Sequence, residues 1–403
     1  MKRLLRISFD ILLTSFTPIL GWALIGILLD KNLINIFSLI YPIQFIINTI
    51  RSIFGTGANI SEIKDKNENS VFTGFIFGTL IGFLILGTIA LNIDKYIMFM
   101  NMDVTIYKVF ATYGIIQMFL QLILNLSLSK LYYEDNNKLA NKYSILFNLI
   151  NFSSLIILSL ITKNQVIITS LTLIITSLFV LIMVVKNIKI KKIKLYLKNC
   201  IKYDSVYLFD EISMLIIYLF GFKNAFVFGE KYILAITFAT LITDAQWDMS
   251  EAIKTVAQID ITKRCFSYKE HIKNSRVLIY LLFLSTIIMG LVFYPNYKSD
   301  ILVTLIITSI EMIVMFLYPI YITKLTYIQL EYSAIKATVN KQIANILRII
   351  CSFIPSPFCT SIGLTASAIY QLLFTGFTVK KNKLNLEMLK DKLQMDEVIL
   401  NGR

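Results

Sequence analysis

Histidine is almost missing: His271 is the only one in 403 residues, and the four cysteines, Cys200, Cys265, Cys351 and Cys359, show no paired spacing. Tetrahedral zinc needs clustered thiolates and imidazoles, so a zinc site is not expected and the thiols read as structural. The same shortage argues against a membrane enzyme, which would need a Ser/His pair or a metal-ligand cluster. No Gly-x-x-x-x-Gly-Lys-Ser/Thr loop occurs, so any ATP drive would have to come from another subunit, and no cofactor is expected. Acidic residues are few, 25 against 39 Lys and Arg, for a net charge of +14. Basic excess can mark a nucleic-acid binder, but membrane topology explains it better here and no nucleic-acid partner is expected.

Apolar residues are abundant. They make up 56% of the chain, the mean hydropathy is +0.70, and apolar runs recur from end to end, which excludes an ordinary soluble domain. Spans of roughly 20 residues can be drawn at 7 to 29, 33 to 55, 71 to 93, 105 to 129, 141 to 162, 165 to 186, 203 to 222, 226 to 253, 275 to 294, 300 to 323, 339 to 358 and 360 to 379. The basic Met1 to Arg6 leads into the first run with no small-residue cleavage site behind it, so this run reads as a retained helix. With the N-terminus inside, 31 of the 39 basic residues fall in inside segments and seven in outside ones, Arg348 lying within a span. The bias predicts a multi-pass protein of the cell (cytoplasmic) membrane with both termini cytoplasmic.

The expected organisation is a six-helix lobe over 1-186, a basic cytoplasmic connector over 187-202, a second six-helix lobe over 203-379 and a cytoplasmic tail over 380-403 that is a short helix or disordered. The connector reads as a positive-inside linker, with an interfacial helix on anionic headgroups as the alternative. The lobes echo each other at an offset of about 200 residues: Gly55-Thr-Gly-Ala-Asn-Ile-Ser61 closes the second span as Ile253-Lys-Thr-Val-Ala-Gln-Ile259 closes the eighth. Ser129-Lys-Leu-Tyr-Tyr133 is echoed by Thr323-Lys-Leu-Thr-Tyr327. Parallel six-helix repeats are a transporter signature, with substrate held between the halves.

Charge inside the spans marks the candidate site, because an ionised carboxylate in hydrocarbon is costly and usually faces a protein interior or a wet cavity. On the seventh span Asp204, Tyr207, Glu211 and Tyr218 share one stripe, with Asp210 about 100° around from it. On the eighth, Thr237, Thr240, Asp244, Asp248, Glu251 and Thr255 form a continuous polar face, although Asp248 and Glu251 could instead sit at the headgroups with Lys254. Glu311 is mid-span, and Arg348 is either a counter-ion for one of these carboxylates or a snorkelling cation. Gln117, Gln121 and Asn125 recur every four residues on the fourth span, where amides join helices or hydrogen-bond substrate. Glu211, Asp210, Asp244 and Glu311 are therefore the candidates for cation or proton coupling, and Tyr207, Tyr218, Thr240, Asp248, Gln117 and Gln121 for the substrate cavity.

The order of segments, the stretch Gly55 to Ser61 with its charged loop, Lys130 to Asn151, and Leu208-Phe-Asp-Glu-Ile-Ser-Met-Leu215 together resemble the multidrug and toxic compound extrusion (MATE) family, in the superfamily that also holds polysaccharide and lipid flippases. The resemblance implies an all-α membrane fold of twelve helices in two pseudo-symmetric six-helix halves. It further implies multidrug (xenobiotic) efflux of a cationic or amphipathic organic solute by Na⁺ or H⁺ antiport, in a monomer; a flippase for a lipid-linked saccharide or peptide precursor is the alternative. Glu211 falls where many members carry a helix-seven glutamate that takes part in cation binding. The helix-one aspartate position falls on Gly21 or Trp22, and the helix-ten acid position falls near Tyr318, two turns from Glu311.

Overall fold

The computed structural model describes residues 28–64, 69–133, 137–189, 192–193, 197–262, 265–297 and 301–387, with positions 4, 5, 8, 21 and 26 of the first segment. These residues are helical nearly throughout. In chain order the helices are α1 (Ile36–Arg51), continued by a π-helical turn (Ser52–Gly57) into α2 (Ala58–Lys64), then α3 (Ser70–Leu91), α4 (Ile93–Phe99), α5 (Val104–Tyr133), α6 (Asn137–Ile161), α7 (Gln165–Asn187), α8 (Leu197–Phe226), α9 (Glu230–Thr262), α10 (Tyr268–Tyr297), α11 (Ile301–Tyr327), α12 (Ala334–Ser352) and α13 (Cys359–Lys381). Eight of the described helices are long and apolar enough to cross a membrane. The long helices outside that group are α8, α9 and α12, each of which carries charged residues along its length.

Three expectations shift. The second span does not close at Gly55 to Ser61, because the helix runs on to Lys64 through the π turn, where the Asn59 amide donates to the Gly55 carbonyl at 2.9 Å and satisfies an acceptor inside the irregular stretch. The eleventh span stops at Ser352 rather than 358 because Pro355 and Pro357 cannot continue it. In the tail, Leu384 to Glu387 is neither helical nor loose: Ser267 and Glu387 form an antiparallel bridge and Tyr327 Oη donates to the Asn385 carbonyl at 2.5 Å. Residues 388–403, like Trp22, lie outside the described residues.

The chain forms two compact units, one of Phe16–Thr237 with Pro355–Pro357, the other of Met1–Ser15, Phe238–Ile354 and Phe358–Arg403. In the first unit, α3 buries a stripe of small residues, Thr73, Gly74, Gly78 and Gly82, and exposes Leu80, Phe83 and Leu84. The usual soluble pattern is inverted, because lipid is as apolar as leucine and association favours small surfaces that let backbones approach. A Cβ on Gly74 would lie 2.2 Å from the Phe54 carbonyl oxygen, and one on Gly82 would lie 2.4 Å from Leu122, so these glycines set how closely α3 meets the π turn and α5. The α7 helix repeats the pattern with Thr169, Thr172 and Thr176 inward, and Thr176 donates to Gln117 on α5 at 3.2 Å. Helix α8 packs along α1 and the π turn, joined by an aromatic cluster in which Tyr218 meets Tyr41 edge-on at 4.9 Å and stacks on Phe45 at 5.5 Å.

In the second unit the core is built from Ala252, Ile253, Leu278, Leu282, Met312, Met315 and Tyr321, with Leu4 of the first segment packed among them. Ser8 donates to the Met249 carbonyl at 3.2 Å, which fixes the start of the first segment on α9.

Candidate functional site

The second unit holds a polar seam along α9 and α11. Thr243, Trp247 and Glu251 recur every four residues, so they share one face of α9. Opposite them, Thr243 Oγ1 donates to Glu311 Oε2 on α11, the Trp247 side chain hydrogen-bonds the same carboxylate, and Arg348 on α12 acts on it electrostatically. Two turns along α11, Tyr318 Oη donates to Glu251 Oε1 at 2.8 Å, and the Trp247 and Tyr318 rings meet edge-on with centroids 5.8 Å apart. Glu251 also pairs with Lys254 at 3.8 Å. Tyr321, 5.5 Å from Tyr318 between ring centroids, feels both Glu251 and Arg348. One seam thus carries a half-buried carboxylate with two hydrogen-bond donors and a cation, and nearer the loops a second carboxylate held by a phenol and an ammonium.

Arg348 faces this interior because α12 is amphipathic. Ile335, Val339, Ile343, Ile346 and Ile350 form its exposed stripe, and Lys341 and Arg348 lie on the other side of the helix, spaced by two turns. On that side of α12, Arg348 acts electrostatically on Glu311.

The remaining candidates are placed as follows. Thr240, Asp244 and Asp248 are half-buried on α9, while Thr237, from the same sequence stripe, is fully buried and bonded to Ser38 at 2.6 Å in the first unit. Asp210 and Glu211 are half-buried on α8, in the helix that packs on the π turn. Short π segments frequently mark functional sites. Tyr218 belongs to the aromatic cluster with Tyr41 and Phe45, and the side chain of Tyr207 lies outside the described residues. Gln117 is buried on α5, where it accepts from Thr176 of α7, and Gln121 is half-buried one turn on. A Cβ at Gly21 would lie 1.9 Å from the Phe152 ring, so an aspartate has no room there. Among the described residues no group of three or more His, Cys, Asp and Glu side chains is arranged to hold a metal ion.

The sequence did not mark Thr243, Trp247 and Tyr321 as site residues. The spacing of Thr243, Trp247 and Glu251 was available, but two of the three are uncharged and read as packing until Glu311 is placed opposite.

Among the described residues, removing the Tyr318 hydroxyl leaves the Glu251 carboxylate with Lys254 on this seam. In a double-mutant cycle of Tyr318→Phe and Glu251→Gln followed by thermal unfolding, we expect a coupling of about 1 kcal/mol, the usual net value of one hydrogen bond; additivity of the two substitutions would contradict the seam.

No family model and no curated protein matches the sequence. Solved structures do. An inward-facing multidrug resistance MATE family transporter of the MOP superfamily superposes with a TM-score of 0.61 at 14% identity, covering 95% of this chain and 96% of that one. The fold is the MATE fold. An outward-facing MATE structure fits with a TM-score of 0.59 at 16% identity over 95% and 96% of the two chains. A MOP superfamily transporter from Pyrococcus furiosus, described as having a binding pocket of reverse polarity that suggests a different function, gives 0.58 at 16% identity, with 95% and 97% covered. The all-α, twelve-helix, multi-pass class read from the sequence therefore holds, and the seam of Glu311 lies within helices of a MATE fold.

Proposed function

We propose that this chain is a secondary active exporter that moves a cationic or amphipathic organic solute out of the cytoplasm against entry of Na⁺ or H⁺, with access alternating between the lobes 1-186 and 203-379. The observation that carries the reading is Glu311: a carboxylate in a membrane-spanning helix, given two hydrogen-bond donors and a nearby guanidinium. An intramembrane carboxylate so supported can lose or gain a proton, or exchange its cationic partner for a bound ion, and either event changes the balance of charge along α9 and α11. Glu211 and Asp210 are the corresponding acids of the first unit, and Asp244 extends the acidic character of α9. Tyr218 and its aromatic neighbours offer π surface to a cationic solute, with Tyr207, Thr240, Asp248 and Gln121 as further contacts. The test is dye efflux from proteoliposomes with a Na⁺ or an H⁺ gradient imposed separately. We expect one of the two gradients to accelerate export of a cationic dye; equal efflux with and without both gradients would end the antiport reading.

A flippase for a lipid-linked saccharide or peptide precursor is the second reading. It is favoured by one observation, the basic pair Lys341 and Arg348 on the side of α12 away from its apolar stripe, because a phosphate-bearing cargo calls for cations. Translocation of a fluorescent lipid-linked diphosphate, insensitive to Glu311→Gln and lost in Arg348→Gln, would establish it over the exporter.

A further inference from the structure

A groove of about 530 Å³ opens between α10 and α11, wholly within the second unit. It runs from Phe283 to Tyr294 on α10, eleven residue steps that rise about 16 Å along a helix. That is close to the hydrocarbon thickness of one leaflet, roughly 15 Å. Thr286, Thr304 and Met312 form its floor and are 5%, 1% and 3% exposed, whereas the walls, Leu291 and Leu305, are 70% and 49% exposed. Both helices belong to the membrane-crossing set, and Leu284, Ile288 and Val292 beside the groove on α10 are exposed and apolar, the composition of a surface that meets bilayer hydrocarbon. Gly290 lines the α10 wall and contributes no side chain to it.

Among the described residues the lining has hydroxyls but no ionisable carboxylate or amine, so these residues offer nothing to compensate a charged solute. Thr286 already spends its hydroxyl on the Leu282 carbonyl at 2.9 Å. The occupant must be neutral and apolar over about one leaflet's depth, and the surrounding medium supplies such a molecule at high concentration. We propose that this groove seats one acyl chain of a bilayer phospholipid. The seat borders the polar seam, because Ile242 and Met312 of the lining are the chain neighbours of Thr243 and Glu311. A chain held there braces α9 against α11 from the lipid side. The inference stands on the groove and not on the transport reading, so either can fail alone.

Native mass spectrometry of the protein in mild detergent, titrated with dioleoyl phosphatidylcholine, tests it. The expected result is one lipid adduct that survives activation, with its affinity reduced about tenfold or more in Gly290→Leu and in Thr308→Phe, which fill the groove from opposite helices. Leu284→Phe, on the exposed side of α10 and outside the groove, should keep the adduct. Absence of a retained lipid from the wild type, or equal retention in the wild type and the filled variants, overturns the proposal. So does displacement of the lipid by a cationic dye, which would make the groove a solute path. If neither filled variant folds, saturation of the wild type at one lipid remains the deciding readout, and a continuous series of adducts contradicts the seat.

Discussion

Replacing Glu311 by Gln is expected to reduce gradient-driven export to the leak rate while leaving the fold intact. Glutamine keeps the size of the side chain and an oxygen for the Thr243 and Trp247 donors, so the α9–α11 contact survives and the melting temperature should move little. The substitution removes the negative charge that balances Arg348 and that a coupling cation or proton would occupy. Coupling between two sites is typically about 1–3 kcal/mol, which corresponds to roughly 5- to 150-fold in affinity or population. Stimulation of export by the driving gradient should fall by a factor in that range. Thr243→Val supplies the internal comparison: it keeps the carboxylate but removes one donor, at a cost of about 1.5–3 kcal/mol if the carboxylate is charged, and it should weaken coupling without abolishing it. Loss of export accompanied by loss of the folded protein in Glu311→Gln would make the residue structural.

Gly74→Leu is expected to have the largest effect on stability of any single change in the first unit. Its Cβ would meet the Phe54 carbonyl oxygen at 2.2 Å and the Ala58 Cβ at 2.7 Å. The first of these is backbone of the π turn, which no rotamer change can move aside. Even Gly74→Ala should cost about 1–3 kcal/mol or more through overpacking, and leucine should abolish recovery of folded protein. Gly87, thirteen residues on in the same helix, has nothing within 4 Å of its notional Cβ. Gly87→Ala should be neutral or stabilising by up to roughly 1 kcal/mol, since glycine is the poorer helix former. Equal melting temperatures for Gly74→Ala and Gly87→Ala would show that the close approach of α3 to the π turn does not contribute to stability.

The helices were legible because lipid demands long apolar segments, and the second to twelfth spans correspond in order to the eleven long described helices beginning with α1. Ends were less legible. Pro355 and Pro357 cut the eleventh span short, and the π turn carries the second past its apparent stop, since a glycine-rich stretch reads as a terminus unless tertiary packing holds it helical. The charged residues of the candidate site were visible as charges in hydrocarbon. Their partners were not: Thr243 and Trp247 look like packing residues, and only the apposition of α9 and α11 brings them to Glu311. For the same reason Gln117 was legible as an amide in a span, but the Thr176 hydroxyl that donates to it was not. The glycine stripe of α3 was equally present in the sequence, spaced every four residues, but its meaning lies in the Phe54 backbone and the Leu122 and Leu126 side chains that approach it.

Antiport through carboxylates in the spans requires that a cation enter as solute leaves, and both fluxes can be measured in the same proteoliposomes. Efflux of a cationic dye and entry of Na⁺ or H⁺ are followed together for the wild type, Glu211→Gln and Glu311→Gln. Antiport of this kind predicts that wild-type dye efflux is accompanied by entry of one of the two cations, and that the linked cation entry disappears in Glu311→Gln. Dye export that proceeds at the wild-type rate in both variants, under either gradient and with no cation entry, would contradict it.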